Sequence, residues 1–214
     1  MNTAETEINT WTSRAFGGSN RKLAMWLFIL SDSLTFAALL LSYVYLRVVS
    51  GVWPRPFSFS PEILFAALMT LCLLASSWTM VNAVSASAHG QQARKRRWIL
   101  FTIIAGVIFI ALHLIEWNRL LGEFGKWNYE LEAGFQETRP ASWSADASHL
   151  FGGVFFTITG FHLLHVLSGV IYLAVTAMRR NASHESIELC GLYWQFVDAV
   201  WLIIFPAIYL FSVK

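Results

Sequence analysis

Five long apolar runs dominate the chain, and polar interruptions separate them. They cover Leu23–Val49, Glu62–Ala88, Trp98–Leu121, Leu150–Met178 and Leu189–Val213. A helix needs about 20 largely apolar residues to cross the hydrocarbon core of a bilayer, and each run meets that length. Barrel strands are a poor alternative, because the runs lack two-residue alternation and are roughly two to three times too long. The pattern predicts an all-α, polytopic membrane protein, a bundle of five transmembrane helices. Residues 1–22 are polar and are expected to form a cytoplasmic tail ahead of a membrane domain over 23–214. That tail lacks the short apolar core of a cleavable signal peptide, so the first run is expected to remain as a span.

The interruptions have distinct characters. Gly51–Pro56 reads as a stiff turn, since proline restricts the residue before it. His89–Arg97 reads as a short basic loop, Gly122–Ser148 as the one long connection, and Arg179–Glu188 as a short polar turn. Without an internal repeat, an inverted-repeat transporter is not supported.

Composition narrows the class further. Hydrophobic residues make up 56% of the 214 and charged residues 13%, against about 25% charged in soluble domains. That argues against an ordinary soluble enzyme, a disordered chain or a nucleic-acid partner. The net charge of +2 matters less than its placement. Arg14, Arg21, Lys22, the run Arg94–Arg97, Arg179 and Arg180 fall on one face; Arg47, Arg55, Arg119, Lys126, Arg139 and Lys214 fall on the other. Basic residues near span ends favour the cytoplasm, which predicts an inner N-terminus and an outer C-terminus. The long outer connection is acidic, with Glu123, Glu130, Glu132, Glu137 and Asp146. Cys72 and Cys190 stand apart from any Cys-x-x-Cys or Cys/His grouping, so neither a disulfide framework nor a zinc site is suggested.

The informative residues are the polar ones inside the spans: Asp32, His113, Glu116, His162, His165 and Asp198. A charge at the bilayer centre costs on the order of 3 kcal/mol, so such groups should face protein and find partners. At 1.5 Å rise per residue, Asp32 and Asp198 both lie roughly 14 Å from the inner face. His162 and His165 fall near the middle of the fourth span, so these four are candidates for one midplane cluster. Carboxylate–imidazole pairs there read first as fasteners between helices and second as proton-handling groups. His113 and Glu116 share a face at i,i+3 spacing. Glu116 falls close to the outer interface, where a snorkelling or arginine-paired role is expected. Trp194 and Trp201 flank Asp198 on one face of the fifth span and predict a helix-packing stripe. Ser76, Ser77, Gly152, Gly153, Gly160 and Gly169 permit close helix approach. A di-iron site is disfavoured, because it wants two Glu-x-x-His helices and there is one reversed His113-x-x-Glu116.

These residues resemble a known family, subunit III of haem–copper respiratory oxidases. Trp26-Leu-Phe-Ile-Leu-Ser31-Asp32, followed by Phe36 and Tyr43, is similar to its helix with a Ser-acid pair. Trp53-Pro54 and Ser76-Ser77-Trp78-Thr79 resemble a further segment. Thr159-Gly160-Phe161-His162-Leu-Leu-His165-Val166 with Gly169 looks like its G-x-H-x-x-H-V signature. Tyr193-Trp194-Gln195-Phe196-Val197-Asp198-Ala-Val-Trp201 looks like its terminal motif, with Gln195 in place of the usual His; His113 stands where Gln is common. The likeness covers about residues 22–214, and the fourth and fifth spans carry its specific part. Full-length members have seven spans, and five-span versions are familiar among bacterial oxidases.

The resemblance implies a non-catalytic accessory subunit of a proton-pumping terminal oxidase in the bacterial inner membrane. No catalytic residue and no metal ligand is expected here. Haem and copper belong to subunit I, with subunit II in the same complex, and the family holds phospholipid in a cleft. Support of subunit I stability and proton uptake follows as the expected role. Cytochrome c and quinol both stand as electron donors. Three other readings stand beside it: an accessory subunit of nitric-oxide reductase, an independent haem protein using His113, His162 or His165, and a small-solute or proton transporter.

Overall fold

A computed structural model describes residues 19–50, 53, 57, 59–132, 145–179 and 182–212; side chains at 59, 60, 123–149 and 212 are excepted. The expected tail to residue 18, the acidic side chains of the long connection, and Arg55, Arg180 and Lys214 lie outside this description.

Five helices long and apolar enough to cross a membrane are present among the described residues. They are α1 (Asn20–Val49), α2 (Leu64–Ala88), α3 (Gln92–Glu132), α4 (Ala145–Met178) and α5 (His184–Ile204). A π-helical turn at Phe59–Ile63 leads into α2. Another at Phe205–Tyr209, then a 3₁₀ turn at Leu210–Ser212, continues α5. Proline explains the change of register after Ile204. Pro206 has no N–H to offer the carbonyl one α-turn earlier, so the ladder is interrupted there.

Several boundaries differ from the hydropathy reading, because polar residues at the interface continue the helices. The turn between α2 and α3 is only His89–Gln91, so Arg94–Arg97 sit on the first turns of α3 and not in a loop. Gly90, at φ +68°, closes α2. The Gly90 N–H reaches the Ser87 carbonyl at 3.1 Å and the Gln91 N–H reaches Ala86 at 2.9 Å. This pair of bonds needs a left-handed residue, which glycine adopts without a Cβ penalty. Likewise α5 begins at His184, five residues before the apolar run. Ser183 caps it, its hydroxyl accepting from the Ser186 N–H at 3.2 Å, and Glu185 in the first turn suits the positive end of the helix.

The early start of α5 also ties down α1. Ser19 donates to Glu185, and Lys22 pairs with Glu188 at 2.8 Å. At the opposite end, Arg47 of α1 bonds the Phe211 carbonyl at 2.5 Å.

Helices α2, α3, α4 and α5 pack in sequence around a common interior, since α2 lies against α3, α3 against α4, α4 against α5, and α5 back against α2. Helix α1 rests on α5 and α4 from outside. In α5, 61% of the most apolar 18-residue window is buried, against 11% in α1. Leu30, Leu34, Leu41 and Val48 of α1 are exposed, as suits a surface solvated by acyl chains rather than water. Lipid supplies no hydrophobic drive between helices, so close packing and hydrogen bonds must hold the bundle.

Candidate functional site: the intramembrane polar residues

The α5 stripe meets a row of hydroxyls on α2. The Trp194 Nε1–H donates to Ser76 Oγ at 3.0 Å, and the Trp201 Nε1–H donates to Thr70 Oγ1 at 3.0 Å. Between them, Asp198 Oδ2 accepts from Ser77 and, at 3.5 Å, from Ser76. Gln195 Nε2 donates to the Ser77 carbonyl at 3.2 Å. Trp194, Trp201, Ser76 and Asp198 are all buried. One face of α5 thus zips onto one face of α2, with a carboxylate as the central rung.

Glycine makes room for the upper tryptophan. A Cβ on Gly106 of α3 would come within 2.7 Å of the Trp194 ring, and one on Gly169 of α4 within 2.9 Å. The indole is therefore pinned at its nitrogen by Ser76 and along its six-membered ring by two helices.

The four midplane residues do not form one cluster. Asp32 of α1 pairs with His165 of α4, Oδ2 to Nε2, at 3.0 Å. The same imidazole reaches the Phe161 carbonyl through Nδ1 at 2.7 Å. A carbonyl only accepts, so Nδ1 carries a proton; the Nε2–Oδ2 contact is close in distance but lacks hydrogen-bond geometry. His162 turns the other way, its Nε2 donating to the Val197 carbonyl of α5 at 3.2 Å. The Phe36 ring separates the two, with centroids 5.3 Å from His165 and 6.5 Å from His162. Asp198 therefore has serine partners instead of histidine.

Glu116 also departs from the sequence reading. It neither snorkels nor pairs with arginine as its main contact: it is buried, 7% exposed, and the Tyr209 hydroxyl donates to its Oε2 at 2.7 Å. Arg119, one turn on, pairs with Glu62. Nδ1 of His113 lies 3.9 Å from Glu116 Oε2, beyond hydrogen-bond reach. Its ring instead stacks on Phe109, at 5.7 Å and 24°, and meets Trp201 edge-on at 5.5 Å.

Removing the Tyr209 hydroxyl isolates a buried acid. Tyr209→Phe is expected to cost about 1–3 kcal/mol, the penalty of an unsatisfied buried polar group. The midpoint of unfolding in mixed detergent–SDS micelles measures it, and a midpoint equal to the unaltered chain would contradict the assignment.

The sequence reading missed Tyr209 and Gly106, and took Ser76 and Ser77 as small packing residues only. A signal for the serines was present: both hydroxyls stand inside an apolar span, where a polar partner on another helix is wanted. Tyr209 gave none, because the π turn changes its facing direction. Among the described residues, no three His, Cys, Asp or Glu side chains gather as a metal ion would require. His162 and His113 are fully buried against Phe109 and Trp201. Cys72 and Cys190 are free thiols.

Comparison with known proteins follows the same motifs. The family described as cytochrome c oxidase subunit III matches residues 132–213. Cytochrome c oxidase subunit 3 of Bacillus subtilis (strain 168) is 30% identical, over 97% of this chain and 94% of its own length. Its counterpart in Synechocystis is 28% identical, over 89% of this chain and 75% of that protein. Cytochrome bo(3) ubiquinol oxidase subunit 3 of Pseudomonas putida is 28% identical, over 92% of this chain and 88% of that protein. With the Bacillus protein aligned along nearly its whole length and the terminal motif lodged in the buried α2–α5 seam, the chain belongs to the cytochrome c oxidase subunit III family.

Proposed function

We infer that this multi-pass membrane chain is an accessory subunit of a haem–copper terminal oxidase, supplying packing surface to the complex and no redox centre. The observation that carries this reading is the fate of its intramembrane acids. Asp32, Glu116 and Asp198 each engage a side chain on another helix or turn of the same molecule. Buried polar groups used this way fix helix register.

In this reading subunit I, with its haems and copper, is the direct neighbour and subunit II completes the core. The membrane is the bacterial inner membrane. The N-terminal end of α1 faces the cytoplasm, supported by Arg21, Lys22, Arg94–Arg97 and Arg179 gathered at one end of the bundle. Residues 1–22 then form the cytoplasmic tail and 23–214 the membrane domain. Asp32 and His165, 3.0 Å apart on the outer flank of the bundle, are the groups proposed to support proton uptake. Both cytochrome c and quinol oxidases occur among the relatives' names, and the donor follows the complex rather than this chain.

The test is purification through a tag on this chain in mild detergent. A haem–copper subunit is expected in near-equal amount. Its absence, with the chain intact and folded, would contradict the reading.

A further inference from the structure

A cavity of about 90 Å³ lies beside Glu116 on α3, walled by Phe57, Phe65 and Leu120. Arg119 and Glu62, paired with each other, complete its lining. Glu116 is buried, and the Tyr209 hydroxyl takes one position on its Oε2. One turn deeper, His113 is fully buried, and neither of its ring nitrogens has a hydrogen-bond partner among the described residues. Phe109, Trp117 and Trp201 pack around this ring, with centroids 5.7, 5.6 and 5.5 Å away.

A neutral imidazole carries one N–H donor and one acceptor nitrogen. Enclosing both among apolar rings is costly unless something answers them. Glu116 Oε2, on the same helix face, lies 3.9 Å from Nδ1. That separation is too long for a direct hydrogen bond, yet a single water can touch both atoms at about 2.8 Å each. Oε2 has a lone pair to spare beside the one that Tyr209 uses. The cavity next to Glu116 has room for more than one water. The buried carboxylate and the half-exposed Arg119, held by Glu62, supply polar partners within it and at its rim.

We propose that His113 and Glu116 hold a buried water between Nδ1 and Oε2, and that the cavity beside Glu116 joins this water to the aqueous phase at the Arg119 end of the bundle. The water completes the imidazole and occupies the second lone pair of the carboxylate oxygen. Acid and imidazole thereby exchange hydrogens with bulk water from that end, although both sit among apolar side chains. The Asp32–His165 contact stands apart on the flank, between α1 and α4, and takes no part in this site.

The experiment is water-edited solid-state NMR of the full chain, carrying isotopically labelled histidine and embedded in bilayers with whatever subunits accompany it. His89 and His184, both exposed, set the time in which intensity passes from water to a hydrated imidazole. The His113 ring signals, identified by their loss in His113→Gln, are expected to gain intensity from water in a comparable time. Glu116→Leu removes the second anchor and fills the cavity, so it should abolish that gain. Glu116→Gln keeps an accepting oxygen and should retain it. His113 signals of the unaltered chain that gain nothing while those of His89 and His184 grow would overturn the site, a result that requires no variant. So would equal transfer to His113 in the unaltered chain and in Glu116→Leu. Because the readout is water at one side chain, it is independent of whether a haem–copper subunit accompanies this one.

Discussion

Trp194→Ala is expected to cost about 3–5 kcal/mol, the range for truncating a fully buried tryptophan, and to reduce the folded chain recovered from membranes severalfold. The indole fills the junction of α3, α4 and α5 and donates to Ser76 on α2, so its removal loosens four helices together. Enlarging the opposing glycines should act through the same ring. Gly106→Ala places a methyl 2.7 Å from the indole, and overpacking of this kind costs about 1–3 kcal/mol. The two effects are coupled: in the background of Trp194→Ala, Gly106→Ala should cost far less, and a double-mutant cycle on unfolding midpoints reads the difference. Strict additivity would mean that the glycine does not exist for the tryptophan.

Asp198→Leu should harm assembly more than Asp32→Asn. Asp198 is 4% exposed and receives two serine hydroxyls. A leucine removes the carboxylate acceptor shared by Ser76 and Ser77 and leaves Ser77 only Gln195 Oε1 on α5, at 3.2 Å; each hydrogen bond lost is worth about 0.5–1.5 kcal/mol. Asp32 and His165 are more exposed, at 11% and 14% of their side chains respectively, and their contact lacks hydrogen-bond geometry, so an asparagine there loses little. Asp198→Asn serves as the control, because its carbonyl still accepts from Ser77. The yield of detergent-extracted, folded chain checks the order. Equal yields for Asp198→Leu and Asp32→Asn would contradict the central rung.

Apolar run length made the five helices legible in the sequence, because a membrane span needs length and little else. Helix ends were less legible. Gln92–Arg97 and His184–Glu188 look like loops by hydropathy, yet capping by Ser183 and contacts with α1 keep the second segment helical. The packing role of the Trp194–Asp198–Trp201 stripe was readable from its spacing on one helix face. Its partners were not, since a sequence gives depth along a span but not the rotation of a neighbouring helix. The rotation of α2 decided that Ser76 and Ser77, rather than His162, meet Asp198. Tyr209, which meets Glu116, lies in the π-helical turn that follows α5 at Pro206, outside regular α-helical spacing.

The central claim is that redox chemistry resides in a companion and that this chain holds helices together. The visible absorption spectrum of the full chain, followed as it is separated from its co-purifying subunits, tests it most directly. The account predicts that all haem absorbance leaves with the companion while this polypeptide stays colourless. A Soret band that remains with the isolated chain in one-to-one ratio would contradict it.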